Sequence, residues 1–253
     1  MNRPSMLAIA IAITTLAVVL PDRADAYDLK PMVVQLKPSG AGSAATGIIT
    51  NTHEVPIAIE IHAYRREQQP DGADKLLPED KDLIVTPPQM VLEPKASQSF
   101  RMQWVGDPRP DHELSFRIVS EQLPIQFRKI TRNDRTADIT MKYRYEMALY
   151  VQPEGVRPQA RLTSVDIVKD ADGTRHLDLH IRSEGKMRAI LDKPVVELAF
   201  NGKQIKLEGD AVKDLAGLNI LSGSERIVRI AAPAGLDGGT VTGTLSTDYA
   251  ILR

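Results

Sequence analysis

The longest regular pattern of apolar and polar positions lies near the middle of the chain. From Ile139 to Val151 every odd-numbered residue is apolar, and most even-numbered residues are polar. Because successive side chains of a strand point to opposite faces, this period of two predicts a β-strand with one apolar face. Thirteen residues at about 3.3 Å each span roughly 43 Å, whereas a common strand spans about 17–20 Å. We therefore expect one sandwich to cover only part of this face.

Shorter alternating segments come before this strand, and proline and glycine turns separate them. In 57–66, isoleucines alternate with more polar residues, as expected of a half-buried antiparallel strand. Pro-Ser-Gly at 38–40 and Pro-Asp-Gly at 70–72 are typical turn sequences. Seven strands in about 125 residues match the size of an immunoglobulin-like sandwich. The predicted strands of this half are 28–37, 45–51, 57–66, 83–86, 98–105, 114–122 and 139–151.

A segment with two prolines and a glycine, Gln-Pro-Glu-Gly-Val-Arg-Pro at 152–158, follows the long strand. It predicts a short, stiff hinge with few contacts crossing it. A second series of strands comes next, and Asp172-Gly173 and Asn201-Gly202 predict hairpins within it. We therefore expect an all-β protein with two immunoglobulin-like β-sandwich domains in tandem, at 27–152 and 153–253. The predicted strands of the second domain are 162–168, 176–182, 195–200, 203–207, 225–231 and 240–252.

The first 26 residues have the pattern of a secretory signal peptide. Arg3 supplies a positive charge, 6–20 is an uncharged, mildly apolar run, and Ala24-Asp25-Ala26 fits a small-x-small cleavage site. A 15-residue run is short for a membrane span, which needs about 20 residues, so a single N-terminal anchor is the weaker alternative. We expect a mature chain that begins near Tyr27, works outside the cytoplasm and is not inserted in a membrane.

Composition argues against several classes of function. The chain has no cysteine, and its net charge of -1, with acids and bases interspersed, is not that of a nucleic-acid-binding surface. It contains neither a G-x-S-x-G elbow nor a glycine-rich loop that opens a helix. His176-x-Asp178-x-His180 has metal-like spacing, but consecutive members lie roughly 6.8 Å apart on a strand, so a solvated face is the better interpretation. We expect no cofactor, no metal and no enzymatic activity.

Three motifs resemble those of the periplasmic chaperones of chaperone–usher pili, the PapD-like family. The segment 86–102, from Thr-Pro-Pro to Phe-Arg-Met, resembles the family's proline-pair strand, turn and following strand. Phe-Arg-Ile at 116–118, followed by Glu-Gln-Leu-Pro at 121–124, resembles the penultimate strand of its first domain. The alternating segment 139–151, closed by Pro153, resembles its subunit-binding last strand. The resemblance implies two immunoglobulin-like domains in an L shape, located in the periplasm.

The resemblance also implies which residues contact a bound subunit. In donor-strand complementation the last strand pairs with the subunit, and its alternate side chains fill the subunit's groove. The residues up to Tyr143 would enter this groove, whereas those from Tyr145 onward would face the chaperone's own core. The residues assigned to the donor strand are Ile139, Met141, Tyr143 and Tyr145.

One departure from the family pattern concerns the terminal carboxylate of the subunit. Well-known members hold it with an Arg on the first strand and a Lys on the last, but here Ala148 stands at the Lys position and the Arg position falls within 33–35. The chain therefore resembles the divergent archaic or alternative branches. Because a buried carboxylate needs a cation, Arg117 is the first substitute anchor and Arg101 the second. The alternative is that Arg117 solvates an outer face or pairs with Glu121.

The function implied by the resemblance is pilus or fimbria assembly. Such a chaperone stabilises pilin subunits by donor-strand complementation and delivers them to an outer-membrane usher, so both are expected partners. The alternative class is a secreted two-domain β-sandwich adhesin or a pilus structural subunit. A subunit would carry an N-terminal extension of alternating apolar residues, and 27–35 is too short and irregular for that role. Self-association of the free protein through the long strand stays an open alternative.

Overall fold

The computed structural model describes residues 27–124, 142–236 and 239–251. Within these residues the chain folds into two β-sandwiches in tandem, which confirms the predicted fold class, and two short 3-10 segments lie at Gly40–Ser43 and Gly209–Leu215. The strands of the first sandwich are β1 Asp28–Lys30, β2 Val33–Leu36, β3 Ala44–Thr50, β4 Ile57–Gln68, β5 Asp74–Pro78, β6 Leu83–Thr86, β7 Gln89–Leu92, β8 Ser97–Trp104, β9 Leu114–Gln122 and β10 Arg144–Val151. The strands of the second are β11 Ala160–Lys169, β12 Arg175–Ser183, β13 Ala189–Phe200, β14 Lys203–Leu207, β15 Asn219–Ile220, β16 Glu225–Ala231 and β17 Thr242–Tyr249.

The first sandwich packs a four-stranded sheet against a larger one. The smaller sheet has the order β1-β3-β8-β6, and the larger has the order β2-β10-β9-β4-β5, with β7 paired to the start of β4. Trp104 of the smaller sheet and Phe116 of the larger meet in the core, with their ring centroids 5.6 Å apart. Met147 and Leu149 of β10 have no exposed surface, because the apolar face of the last strand closes this core.

The N-terminal strand divides between the two sheets of the first sandwich. The alternation predicted one strand over 28–37, but the structure breaks it at Pro31 into β1 and β2. Proline has no N–H to donate to a β-ladder, so an interruption there is expected. β1 pairs antiparallel with β3, whereas β2 crosses to the other sheet and pairs parallel with β10. The crossing decides how much of β10 is covered.

The second sandwich has its own core between the sheets β11-β12-β16 and β14-β13-β15, with β17 paired to β13. The hairpin predicted at Asn201-Gly202 is confirmed, since both residues have positive φ (47° and 75°), as a type I′ turn requires. Strand β13 starts at Ala189, earlier than the predicted 195. The pairing of β13 with β17 shifts register between Asp192 and Val195, and this irregularity interrupts the alternation on which the prediction depended.

A few specific side-chain contacts cross the boundary between the two sandwiches, where the sequence predicted few contacts. The carboxylate of Glu113 accepts a 2.5 Å bond from Arg188, and neither side chain has exposed surface. The guanidinium of Arg188 also lies 3.7 Å from the centre of the Tyr150 ring. Leu221 of the second sandwich completes a small apolar cluster with Ala148 and Tyr150 of β10. The C-terminal half of the last strand of the first sandwich is thus held against the second sandwich.

A second group of contacts joins the β4–β5 hairpin to the second sandwich. The side-chain amide of Gln68 donates to the carbonyl of Asn219 (2.9 Å) and accepts from the backbone N–H of Leu221 (3.0 Å). The carbonyl of Pro70, at the tip of this hairpin, accepts a 2.8 Å bond from the N–H of Ile227 on β16. Periodicity could not reveal these contacts, because they depend on how the two sandwiches meet.

Candidate functional site

The last strand of the first sandwich, β10, is covered on one side and half open on the other. Along its whole length it pairs antiparallel with β9, from Arg144 opposite Glu121 to Val151 opposite Leu114. On the other side it pairs with β2 only from Ala148 to Val151. Within the described residues, no strand covers the stretch 144–147 on that side. An uncovered stretch of this kind is a template for an added strand.

The hydrogen-bond pattern of β10 shows which backbone groups face the open side. The N–H of Gln122 donates to the carbonyl of Tyr143 at 2.9 Å, so Tyr143 is bonded toward β9. In an antiparallel ladder such residues alternate, and the N–H of Ala148, five residues on, accordingly donates to the carbonyl of Met32 on the opposite side at 2.9 Å. The backbone N–H and C=O groups of Arg144 and Glu146 therefore point toward the open side, away from β9.

Side chains on the apolar face of β10 pack less completely toward its N-terminal end. Met147 and Leu149 are fully buried, whereas Tyr145 and Tyr143 are half-buried against the same core. The Tyr145 ring contacts Tyr27 edge-on, with centroids 4.7 Å apart, and Tyr143 lies 5.9 Å from the His53 ring. Tyr145 therefore faces the protein's own core, as the resemblance implied. Tyr143, assigned to the subunit groove, packs at the edge of that core in this structure.

Two of the assigned donor-strand residues, Ile139 and Met141, lie outside the described residues. Their assignment stays a prediction from the resemblance. The described part of the strand begins where the apolar face enters the core.

Tyr27, the first described residue, is hydrogen-bonded to the penultimate strand of the first sandwich, β9. Its hydroxyl donates a 2.7 Å bond to the carbonyl of Ser120, and its side chain is almost completely buried. Burial raises the pKa of Tyr27 to about 12, because the phenolate would lose its hydration there. The hydrogen bond of the neutral hydroxyl thus holds the residue before β1 against β9, where its ring contacts Tyr145.

The opposite face of the same sheet carries a largely buried cluster of charged side chains. Arg117 on β9 lies directly across from Ala148 on β10, and its other neighbour in the sheet is Tyr64 on β4. Its guanidinium donates from Nε (3.3 Å) and Nη2 (3.0 Å) to Oδ2 of Asp74, on β5. Nε of Arg66 lies 2.7 Å from the other oxygen, Oδ1. We refer to Arg66, Asp74 and Arg117 as the arginine–aspartate cluster.

The arginine–aspartate cluster has an excess of positive charge. Two guanidinium groups share one carboxylate, and all three side chains are largely buried: 8% of Arg66, 15% of Asp74 and 19% of Arg117 is exposed. Unbalanced charge in such surroundings is attracted to an anion more strongly than it would be in water. Sequence reasoning singled out Arg117 but missed Arg66 and Asp74, because only the strand order β9-β4-β5 brings them together.

Arg101, the second candidate anchor, and Glu121, the suggested partner of Arg117, are both outside the arginine–aspartate cluster. Arg101 is on β8, in the smaller sheet, where its Nε donates to the side-chain oxygen of Gln103 (3.4 Å). This position is on the other sheet of the sandwich from Ala148 and does not support Arg101 as an anchor. The suggested pairing of Arg117 with Glu121 is not formed, since Glu121 pairs with Arg144 (3.0 Å).

The histidines with metal-like spacing each have a separate partner. His176 lies 2.8 Å from Asp170, His180 lies 2.9 Å from Asp166, and Asp178 pairs with Arg229. The Arg229 guanidinium lowers the pKa of Asp178 by hydrogen bonding to its ionised form. Among the described residues, no group of three or more His, Cys, Asp or Glu is placed to hold a metal ion. Among these same residues, no helix has the length and apolarity needed to cross a bilayer.

Comparison with known proteins identifies similar folds and one matching family. The family model for pili and flagellar-assembly chaperones, PapD N-terminal domain, matches residues 30–157. A sequence comparison with curated proteins finds no match.

Solved structures of fimbrial chaperones and their complexes resemble the chain at low sequence identity. A chain of the CsuC–CsuE chaperone–tip adhesion subunit complex of Acinetobacter baumannii is 14% identical, with a TM-score of 0.55 over 86% of this chain and 92% of that one. A chain of the chaperone–tip adhesin complex of CFA/I fimbriae is 16% identical, with a TM-score of 0.53 over 83% and 91%. The class 5 fimbriae chaperone CfaA is 14% identical, with a TM-score of 0.52 over 88% and 100%. At sequence identities this low, the structural similarity shows a shared fold and no more.

Proposed function

Since the chain belongs to the family of pili and flagellar-assembly chaperones with a PapD N-terminal domain, we propose that it captures pilin subunits by donor-strand complementation. The capture takes place in the periplasm, after removal of residues 1–26, and the subunit is then delivered to an outer-membrane usher. The observation that carries this proposal is the half-open strand β10, whose backbone groups at Arg144 and Glu146 face away from β9. The role is binding, with no catalytic step.

Main-chain pairing along the open side of β10 supplies the affinity, and side chains supply the selectivity. The apolar residues Ile139, Met141 and Tyr143 enter the groove of the subunit, with Tyr145 at the boundary with the chaperone's own core. Each fully buried apolar side chain contributes about 1.5–3 kcal/mol before the entropic cost of association is subtracted. Tyr143 has to leave part of its contact with the protein's own core to take this role.

Arg117 anchors the terminal carboxylate of the subunit in this proposal. Ala148, at the usual lysine position, cannot serve, and Arg117 is its direct neighbour on β9. The excess positive charge of the arginine–aspartate cluster supports the assignment, since a second carboxylate balances it. Arginine suits the task because its planar fork can bind a carboxylate with two hydrogen bonds.

The test is periplasmic co-expression with individual pilin subunits, followed by purification of complexes. We expect a soluble one-to-one complex, and mass spectrometry of the chaperone should find Tyr27 as its first residue. Glu146→Pro removes a backbone N–H on the open side and should abolish capture. Glu146→Ala retains that N–H and should bind normally. Equal capture by both variants would argue against strand addition at β10, and polymers or binding of a host ligand would instead indicate a structural subunit or adhesin.

A further inference from the structure

The carboxylate of Asp74 is hydrogen-bonded to the guanidinium of Arg117, the group that we propose as the anchor of the subunit. In the free protein both hydrogen bonds of the Arg117 guanidinium to Asp74 reach one oxygen, while Arg66 lies against the other. We propose that Asp74 is a resident counter-ion that competes with the subunit's terminal carboxylate for Arg117 and thereby speeds the release of the subunit. This inference rests on the proposed function and adds a control of its anchoring site.

The direction of the Arg117 side chain supports competition. Asp74 is on β5, and β4 separates β5 from β9, so the guanidinium extends across β4 and away from Ala148 on β10. A carboxylate bound beside β10 has to draw the guanidinium back or share it with Asp74. Arg117 is the more exposed of the two arginines, at 19% compared with 8% for Arg66, and is the one that a ligand can reach.

The positive and negative charges of the arginine–aspartate cluster act on the subunit's carboxylate in opposite directions. The excess positive charge attracts an incoming carboxylate, while the negative charge of Asp74 repels it. When the subunit leaves, a buried arginine without a partner is costly, and much of the strength of a buried charge pair comes from that penalty. Asp74 removes the penalty because it takes Arg117 back. A chaperone that has to surrender its subunit benefits from such a return partner.

The experiment compares subunit release from the wild-type complex and from Asp74→Asn. The subunit is the one identified by co-expression, and release is followed by exchange with labelled free subunit. Asp74→Asn should slow dissociation by about tenfold, since the competing charge and the return partner are both lost. Asp71→Asn makes the same charge change at an exposed turn residue whose carboxylate accepts from the N–H of Ala73, and it should leave the rate unchanged.

Two further arms identify the groups involved. The effect of Asp74→Asn should disappear in the Arg117→Ala background and with a subunit whose terminal carboxylate has been amidated. Unchanged or faster release from Asp74→Asn would overturn the inference, because Asp74 would then position Arg117 for the subunit. Failure of the wild-type protein to bind any pilin subunit would overturn the proposed function and this inference with it.

The inference can also be tested on the free protein, with a small carboxylate in place of the subunit. Acetate is a minimal carboxylate, and its binding can be followed through the Nε–H signal of Arg117 in a ¹⁵N NMR titration, with acetamide as the neutral control. The Asp74→Asn variant, once its thermal transition shows that it is folded, should bind acetate about tenfold more tightly than the wild type. Equal acetate affinities in the two proteins would overturn the inference.

Discussion

Glu113 and Arg188 form an ion pair between the two sandwiches in which neither side chain has any exposed surface. Burial raises the pKa of the Glu113 carboxyl, and the Arg188 guanidinium opposes that effect by stabilising the ionised form. The pair, together with the Tyr150 ring beneath Arg188, fixes the last strand of the first sandwich against the second. The position of this strand relative to the second sandwich is therefore set in the free protein.

Arg188→Met should lower the free energy of unfolding by about 3–5 kcal/mol, because it leaves the Glu113 carboxylate buried without its partner. The loss should shrink as pH falls toward the ordinary carboxyl pKa, since protonation then removes the unpaired charge. Urea denaturation at neutral and acidic pH measures both effects. Glu208→Gln breaks the exposed pair with Lys206 and should change stability by less than about 1 kcal/mol. A similar small loss for Arg188→Met would mean that the buried pair does not hold the boundary.

Gln68→Ala should loosen the two sandwiches, since the carbonyl of Asn219 and the N–H of Leu221 both lose their side-chain partner. We expect a loss of about 1–3 kcal/mol and separation of a single thermal transition into two, as measured by calorimetry. The neighbouring Gln69→Ala removes an amide whose 3.5 Å bond to the carbonyl of Glu67 stays within the same hairpin, and it should have little effect. One unchanged transition in Gln68→Ala would show that this amide does not couple the domains.

Tyr27→Phe should remove a dependence of stability on alkaline pH. The folded pKa of about 12 lies above the ordinary 10, so the neutral hydroxyl stabilises the wild type fully below pH 10, and this contribution is lost as pH rises to 12. Titration of the other groups is common to both proteins. The advantage of the wild type over the variant, from urea denaturation, should therefore fall by about 1 kcal/mol between pH 7 and pH 11. A constant difference would contradict the raised pKa.

Arg117→Ala should weaken subunit binding by about 2–5 kcal/mol, because the terminal carboxylate is left without a cation. Arg101→Ala removes an arginine of the other sheet and should leave affinity unchanged. Calorimetric titration with the purified subunit measures both, and circular dichroism checks the fold. Equal affinities of the two variants would mean that the subunit is held by strand pairing without this anchor.

Local chemistry was enough to predict much of the fold. The alternation over 144–151 placed Met147 and Leu149 in the core, and Asn201-Gly202 specified its turn through φ values that these two residues readily adopt. The family resemblance, drawn from motifs in 86–102, 116–124 and 139–151, is confirmed by the family model over 30–157. These features depend on residues that are neighbours in the chain, so a single sequence can reveal them.

The candidate site was only partly visible in this way. Arg117 stood out because it replaces a missing cation beside the last strand, but its partner Asp74 is 43 residues distant, and strand order alone unites them. The half-open edge of β10 likewise depends on where β2 crosses between sheets at Pro31.

What the sequence by itself determined is the class of the protein: two all-β domains, a secretory signal pattern and a last strand with one long apolar face. Tertiary structure alone decided which strands pair and how the domains meet. Glu113 and Arg188 are 75 residues apart, and Gln68 and Asn219 are 151 apart. Periodicity indicates which face of a strand is buried but not which strands lie beside it, because a period of two is the same whichever strand it pairs with.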